Sequence, residues 1–436
     1  MSRPLAVICL AAGLGKRTKV SLPKVLLPLC GRTLATSALH AVAPLQPART
    51  VVVLHHQKEK VQKAIEAACG GLFARLDFVD QGAPKGTGHA VQVAMAALAD
   101  FRGDVLVTYG DCPLITTATL QELQQLRGTA PCSVLTAFPE DATGLGRILR
   151  DDDGRFVGIR EHRDCSAEEL AIDEINAGFY CFDSEALRPA LAGLQPNNAQ
   201  GELYLTDAVA SFVGGTSGKG QDVPTLQADD PSEITGVNSL ADLAVARMLM
   251  QERILLGHLN NGVIIVDPST AWIDHDVTIG ADTRILPGTM IGHGCRIGSH
   301  CEVGPFAHLR AGTVLEDGAE IGNFVEAKKT HMGAGAKAKH LTYLGDAVVG
   351  AKANIGAGTI TANYDGVHKH ETKIGARAFI GSGSVLVAPS EIGDDAMTGA
   401  GAIVRRGSKV GAREVWVGVP AKKLKLRDVP PQKDKA

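Results

Sequence analysis

Two hydrophobic periods divide the chain. As far as about residue 230, short apolar runs alternate with helix-like stretches. Leu5–Leu10, Thr50–Leu54, Leu76–Val79, Asp104–Thr108 and Ser133–Ala137 read as buried strands, and Thr87–Ala99 and Thr117–Leu126 as helices between them. Such alternation predicts a Rossmann-like α/β domain, a mostly parallel sheet with helices on both faces. From Ile273 the period becomes six: Ile273, Ile279, Ile285, Ile291, Ile297, Val303, Leu309, Leu315 and Ile321 follow without a break. The phase is restored at Met332, Ala338 and Leu344, and again from Ile374 through Ile380, Leu386, Ile392, Thr398, Val404 and Val410.

Neither a helix nor an ordinary strand repeats every six residues, but a left-handed parallel β-helix of hexapeptide repeats does, with one short strand and one turn per hexad. The interruption Thr361–Lys373 reads as a loop thrown out of a coil, where solenoids often place function. Asn238-Ser239 is a plausible N-cap for a helix over Leu240–Leu259, and Asn260-Asn261-Gly262 stops it. The expected organisation is therefore a domain over 1–240, a linker helix over 241–261 and a β-helix over 262–436.

Composition narrows the class. With 45% hydrophobic and 21% charged residues, a chain of 436 residues is globular rather than disordered. A net charge of −3 provides no global field for nucleic acid or a membrane surface, so neither is an expected partner. The 9 cysteines include no C-x-x-C pair, which argues against a zinc site or a disulfide framework and for reduced thiols in the cytoplasm. The N-terminal apolar run reads as a buried strand ending in a glycine turn rather than a signal segment, and no transmembrane helix is expected.

Candidate chemistry in the first half follows the first strand. Leu10-Ala11-Ala12-Gly13-Leu14-Gly15-Lys16-Arg17 is either a plain tight turn or a loop whose small residues let backbone N–H groups reach a phosphate chain. Arg17 and Lys24 would supply cations. Asp111, in Tyr109-Gly110-Asp111 at the end of a strand, either caps the next helix or binds Mg²⁺ alongside substrate phosphates. In the second half, His340 beside the insertion is either a surface histidine or a general base with a pKa suited to neutral pH.

Leu-Ala-Ala-Gly-x-Gly-x-Arg with Pro23-Lys24, Gly86-Thr87-Gly88-His89-Ala90 and Tyr109-Gly110-Asp111 resembles the sugar-1-phosphate nucleotidyltransferases. Gly146-Arg147-Ile148, Glu161, Glu174–Gly178 and Asn197–Glu202, together with the hexapeptide half, narrow the resemblance. It becomes that of the bifunctional N-acetylglucosamine-1-phosphate uridyltransferase/glucosamine-1-phosphate N-acetyltransferase family, which makes UDP-N-acetylglucosamine for cell-wall precursors. By that resemblance Leu10, Ala11, Ala12 and Gly13 line the nucleotide, Arg17 and Lys24 meet the triphosphate, and Gln81, Gly86 and Thr87 meet uracil. Tyr109 and Gly110 flank the metal, Asp111 and Asn238 hold Mg²⁺, and Gly146, Glu161 and Asn176 hold the amino sugar.

The resemblance also implies that His340 deprotonates the amine of glucosamine-1-phosphate, that Arg310 and Lys328 grip its phosphate, and that Tyr343 and Asn354 contact the sugar. Ala357, Asn363, Tyr364, Ser382 and Ala400 contact acetyl-CoA or the reacting end of the pocket, and the assembly is a homotrimer. Taken without the family, Lys328-Lys329 is a solvated basic pair.

Three departures stand out: Lys16 where the family loop usually has Thr, Pro84 in place of a second Gln, and Gly418 in a stretch where the family presents Arg to CoA. Lys422, Lys423 and Lys425 are the candidate substitutes. Two other readings remain at this level: a nucleotidyltransferase for another sugar phosphate fused to a different acyltransferase, and a non-catalytic scaffold. Retention of Arg17, Lys24, Asp111, Asn238 and His340 argues against the scaffold.

Overall fold

The computed structural model describes residues 3–213 and 220–426, apart from the Lys16 side chain; the outermost ends of the expected first and last domains lie outside these residues. The chain divides into two compact units, Met1–Leu249 and Met250–Ala436, and the division falls within the helix Leu240–Asn260.

In the first unit, β1 (Leu5–Leu10), β2 (Arg49–Leu54), β4 (Asp104–Tyr109) and β5 (Cys132–Ala137) are largely apolar runs, as strands covered on both faces must be, whereas β3 (Leu76–Asp80) is a half-buried edge strand that carries Asp77 and Asp80. β6 (Arg147–Arg150) and β7 (Phe156–Arg160) form a hairpin beside β8 (Ile175–Asp183), and β9 (Thr225–Gln227) closes one edge. The main strand order is β9-β5-β8-β4-β1-β2-β3. β1 pairs in parallel with both β2 and β4, and β2 with β3. β8 runs antiparallel to β4, β5 and β6, a reversal that the hydrophobic pattern did not announce. A buried antiparallel strand is as uniformly apolar as a parallel one, so direction leaves no trace in the period.

In the second unit, strands of two to four residues stack in parallel into three sheets that repeat in turn along the chain, and a last strand, Lys422–Leu426, runs antiparallel to Glu414–Val417 at one end. Trp272 pairs with Met290 and Thr278 with Arg296, so one coil takes 18 residues, or three hexads. The inward residues Ile285, Ile291, Val303, Leu309 and Ile321 are fully buried. Around the middle the coil shortens: Glu320 pairs with Lys337 and Asn323 with His340, 17 positions on, which accounts for the phase slip before Met332. The insertion is narrower than its sequence bounds, because Ile360–Ala362 and Thr372–Ile374 are themselves strands of the coil.

Ile321→Ala should cost the second unit about 2–5 kcal/mol through lost burial and a residual cavity. Both tryptophans, Trp272 and Trp416, lie in this unit. Urea unfolding followed by tryptophan fluorescence therefore reads the loss directly; an unchanged midpoint would contradict the inward assignment.

Candidate active sites

The carboxyl ends of β1, β3 and β4 open onto a cavity of about 480 Å³ in the first unit. Ligands bind at this edge of parallel sheets because strand-to-helix loops converge there. Of the residues expected to bind nucleotide, Leu10, Ala12, Gly13, Gln81, Gly86, Thr87, Tyr109 and Asp111 line the cavity. Pro84 lines it too, as does Glu202, which the sequence motif contained but which had no expected role. Gly86 is required by its surroundings: its φ is +103°, and a Cβ there would lie 2.4 Å from the Leu203 carbonyl oxygen. Gln81 is buried, and its Nε2 donates to the Gly86 carbonyl at 3.1 Å, which fixes the orientation of its amide. Ala11 and Gly110 lie underneath, so close that a Cβ on Gly110 would meet that of Ala11 at 3.1 Å.

Lys24 is buried at the start of a 3-10 turn under the glycine loop. Its Nζ donates to Asp111 Oδ2 at 2.5 Å and to Asn238 Oδ1 at 3.0 Å. The backbone of Val237 reinforces this meeting by donating to the Asp111 carbonyl at 2.8 Å. Ser239 and Asp242 start the helix Leu240–Asn260 through reciprocal bonds: Asp242 accepts from the Asn238 and Ser239 amides, and Ser239 Oγ accepts from the Asp242 amide. Capping thus falls to Ser239, and the Asn238 carboxamide faces Lys24. Arg17 is exposed, apart from the cavity lining, and its charge acts on Asp242.

The expected sugar residues form an adjoining group. The Asn176 amide donates to the Gly146 carbonyl at 2.8 Å, and Asn176 Nδ2 donates to the Tyr180 hydroxyl at 2.7 Å. A Cβ on Gly146 would sit 3.5 Å from Glu161 Oε2. The Tyr109 ring, at the cavity wall, packs edge-on against Phe179 at 5.9 Å. Burial raises the Glu161 carboxyl above its ordinary range; the Thr206 hydroxyl, donating at 3.1 Å, opposes this, and the charges of Asp164 and Asp207 add to it.

In the second unit, one corner of the β-helix lines up residues from successive coils. The carbonyls of Asn323, His340, Ala357 and Ser382 accept from the amides of Leu341, Gly358, Gly383 and Gly401, at 2.9, 3.4, 2.7 and 2.8 Å. His340, Ala357 and Ser382 therefore form a column, with Ala400 one coil beyond Ser382 and Gly418 one beyond Ala400. His340 is exposed at the coil edge, and Asn354 begins the strand above it, paired with Lys337.

A second group occupies the neighbouring face. Lys328 pairs in register with Gly345, and a Cβ on Gly345 would meet Asn363 Nδ2 and the Tyr343 hydroxyl, each at 2.6 Å. Asn363 Nδ2 donates to Asp346 Oδ2 at 2.5 Å, and Arg310 pairs with Glu326 at 2.9 Å. The Lys369 ammonium, with partial desolvation and Arg310, holds Lys328 below the usual lysine range. Clustered cations of this kind suit a phosphate. Lys369 had no expected role; its signal was a basic residue in the ejected loop. At the C-terminal end Lys423 pairs with Glu414 at 2.8 Å, while Lys422 and Lys425 are exposed.

Both halves match known families. Residues 7–204 match the MobA-like NTP transferase domain, and residues 270–311 and 371–406 match the bacterial transferase hexapeptide repeat. The chain is thus a two-domain transferase, with a nucleotidyltransferase fold followed by a hexapeptide β-helix. It is 42% identical to the bifunctional protein GlmU of Mycobacterium sp. (strain KMS), covering 96% of this chain and 90% of that protein. Against the GlmU of Corynebacterium diphtheriae it is 40% identical, covering 96% and 93%, and against that of Nocardia farcinica 39%, covering 96% and 91%. The chain belongs to the GlmU family of bifunctional proteins.

A half-buried carboxyl with a raised pKa favours the protonated folded state, so its stabilising contribution is present at low pH and lost as pH rises through the folded value. Glu161→Gln, neutral throughout, should therefore raise Tm relative to the unchanged protein at pH 7. That gain should vanish below about pH 4, where both side chains are neutral. A Tm difference independent of pH would contradict the burial of this carboxyl.

Proposed function

We propose that this chain makes UDP-N-acetylglucosamine in two transfers. The first moves acetyl from acetyl-CoA to glucosamine-1-phosphate, and the second moves uridylyl from UTP to N-acetylglucosamine-1-phosphate. We assign uridylyl transfer to residues 1–240, the joining helix to 241–261 and acetyl transfer to 262–436. The observation that carries this reading is the near full-length similarity to bifunctional relatives. The two residue groups described above support it.

In the first site, a phosphate oxygen of the sugar phosphate attacks the α-phosphorus of UTP in line, a P–O bond forms, and pyrophosphate leaves. No proton need move, so positioning and charge stabilisation carry the rate. Lys24 and Arg17 face the charge on the departing pyrophosphate. The Asp111 and Asn238 oxygens already converge on one cation, the Lys24 ammonium, and so fit a small divalent ion that completes its shell with phosphates and water. They would hold Mg²⁺, which when bound neutralises charge on the triphosphate. Gln81 and Gly86 orient the base, and Glu161 and Asn176 the sugar.

In the second site, His340 takes a proton from the substrate ammonium. The freed amine attacks the thioester carbonyl, a C–N bond forms as the C–S bond breaks, and the surplus proton on nitrogen passes to the departing sulfur, so CoA leaves as its thiol. Arg310, Lys328 and Lys369 hold the sugar phosphate, Tyr343 and Asn354 the sugar, and the column Ala357–Ser382–Ala400 the acetyl-CoA, with Asn363 and Tyr364 at the reacting end. We place the enzyme in the cytoplasm, where both co-substrates are made. No helix among the described residues is long and apolar enough to cross a membrane. The assembly we propose is a homotrimer through the β-helices.

Two measurements test the proposal. Asp111→Ala should abolish uridylyl transfer and spare acetyl transfer, while His340→Ala should lower acetyl transfer about 10²–10⁴-fold and spare uridylyl transfer. Loss of both activities in either variant would contradict two separate sites. Light scattering at micromolar concentration should give three chain masses; a monomer would overturn the proposed assembly.

A further inference from the structure

The inserted segment in the second unit is a short hairpin, and a residue from far along the chain, Arg406, contacts its tip. The His370 amide donates to the Asn363 carbonyl at 2.8 Å, and Tyr364 and Lys369 form an antiparallel bridge. At the tip, Asp365 Oδ1 accepts from the amides of Val367 and His368 at 2.9 and 2.7 Å. The other oxygen, Oδ2, lies 2.6 Å from His370 Nε2 and 3.2 Å from Arg406 Nη1. Arg406 Nη2 lies 3.0 Å from the same imidazole nitrogen.

Arg406 follows the strand Ile403–Val404, which is two strands beyond Ile360–Ala362 in the same sheet. The hairpin leaves the coil just after Ile360–Ala362, so it reaches past the intervening strand Val385–Val387 to meet Arg406. A hairpin of this length is marginal in isolation, because two strands bury too little to offset their ordering. A guanidinium on an already multiply bonded carboxylate adds a charge-assisted contact that fixes its position. What that position governs is clear from its residues: Asn363 bonds to Asp346, and Lys369 sets the charge environment of Lys328.

We infer that Arg406, through Asp365 and His370, is a positioning residue for acetyl transfer: it clamps the 363–370 hairpin so that Asn363 and Lys369 face the sugar-phosphate pocket. The inference rests on the reading of this face as the acetyl-transfer site. Arg406 touches no substrate in this arrangement and acts by holding the residues that do.

The test uses the full-length protein and its variants. Arg406→Ala should raise KM for glucosamine-1-phosphate roughly tenfold, the order expected for one charge-assisted contact, and leave uridylyl transfer unchanged. Arg406→Lys should recover part of the loss. Asp365→Asn should have a similar effect, and the double variant should be no worse than the more severe single one, because both break one contact. Hydrogen exchange at the Val367, His368 and His370 amides, read without substrate, should speed up in Arg406→Ala. Unchanged exchange and KM, multiplicative losses in the double variant, or an equal fall in uridylyl transfer would overturn the clamp. If exchange speeds up in a protein that transfers no acetyl group even unmodified, the clamp stands as geometry and the reading of the site fails.

Discussion

Each strand that pairs in parallel must return to its starting edge before it can pair again, and this requirement shapes both units. Return through a helix, as between β1 and β2, places the carboxyl ends of the parallel strands β1 to β4 on one edge of the sheet. Return through three short turns of one coil, as from Trp272 to Met290, places equivalent residues above one another along the corner of a prism. The first solution makes a shared cavity from loops; the second makes a column. The two candidate sites are consequences of these two routes, and the same backbone hydrogen-bonding demand underlies both.

Beside the cavity, a buried ammonium does the organising. Removing Lys24 from water is costly unless its charge is met. Asp111 and Asn238, distant in the chain, meet it together. The contact draws the loop after β4 toward the segment before the long helix, so the residues suited to a divalent cation and the residue suited to the triphosphate share one place. Among the described residues of the β-helix no buried charge plays this part. Stacked carbonyl-to-amide bonds hold His340 in line with Ala357 and Ser382, and the cations Arg310, Lys328 and Lys369 gather at the surface.

Much of this was legible in the sequence for a physical reason: periods and glycine loops are local. The hexads located the coils, the apolar runs located β1 to β5 within a residue at either end, and the motif after β1 located the cavity. Strand direction was not legible, so the antiparallel β8 came only with the structure. The one-residue shortening of the middle coils appeared as a broken phase without its cause. Lys369, Glu202 and Arg406 were missed because their importance depends on neighbours far off in sequence. A lysine in a loop reads as solvated until Lys328 is found beside it.

The central claim is that one chain carries out two ordered transfers at two sites. The most direct measurement follows the phosphorus species over time by ³¹P NMR, with purified protein, glucosamine-1-phosphate, acetyl-CoA, UTP and Mg²⁺. The account predicts that N-acetylglucosamine-1-phosphate appears first and is then consumed as UDP-N-acetylglucosamine and pyrophosphate accumulate. Formation of UDP-glucosamine ahead of any acetylated sugar phosphate, or of neither product, would contradict it.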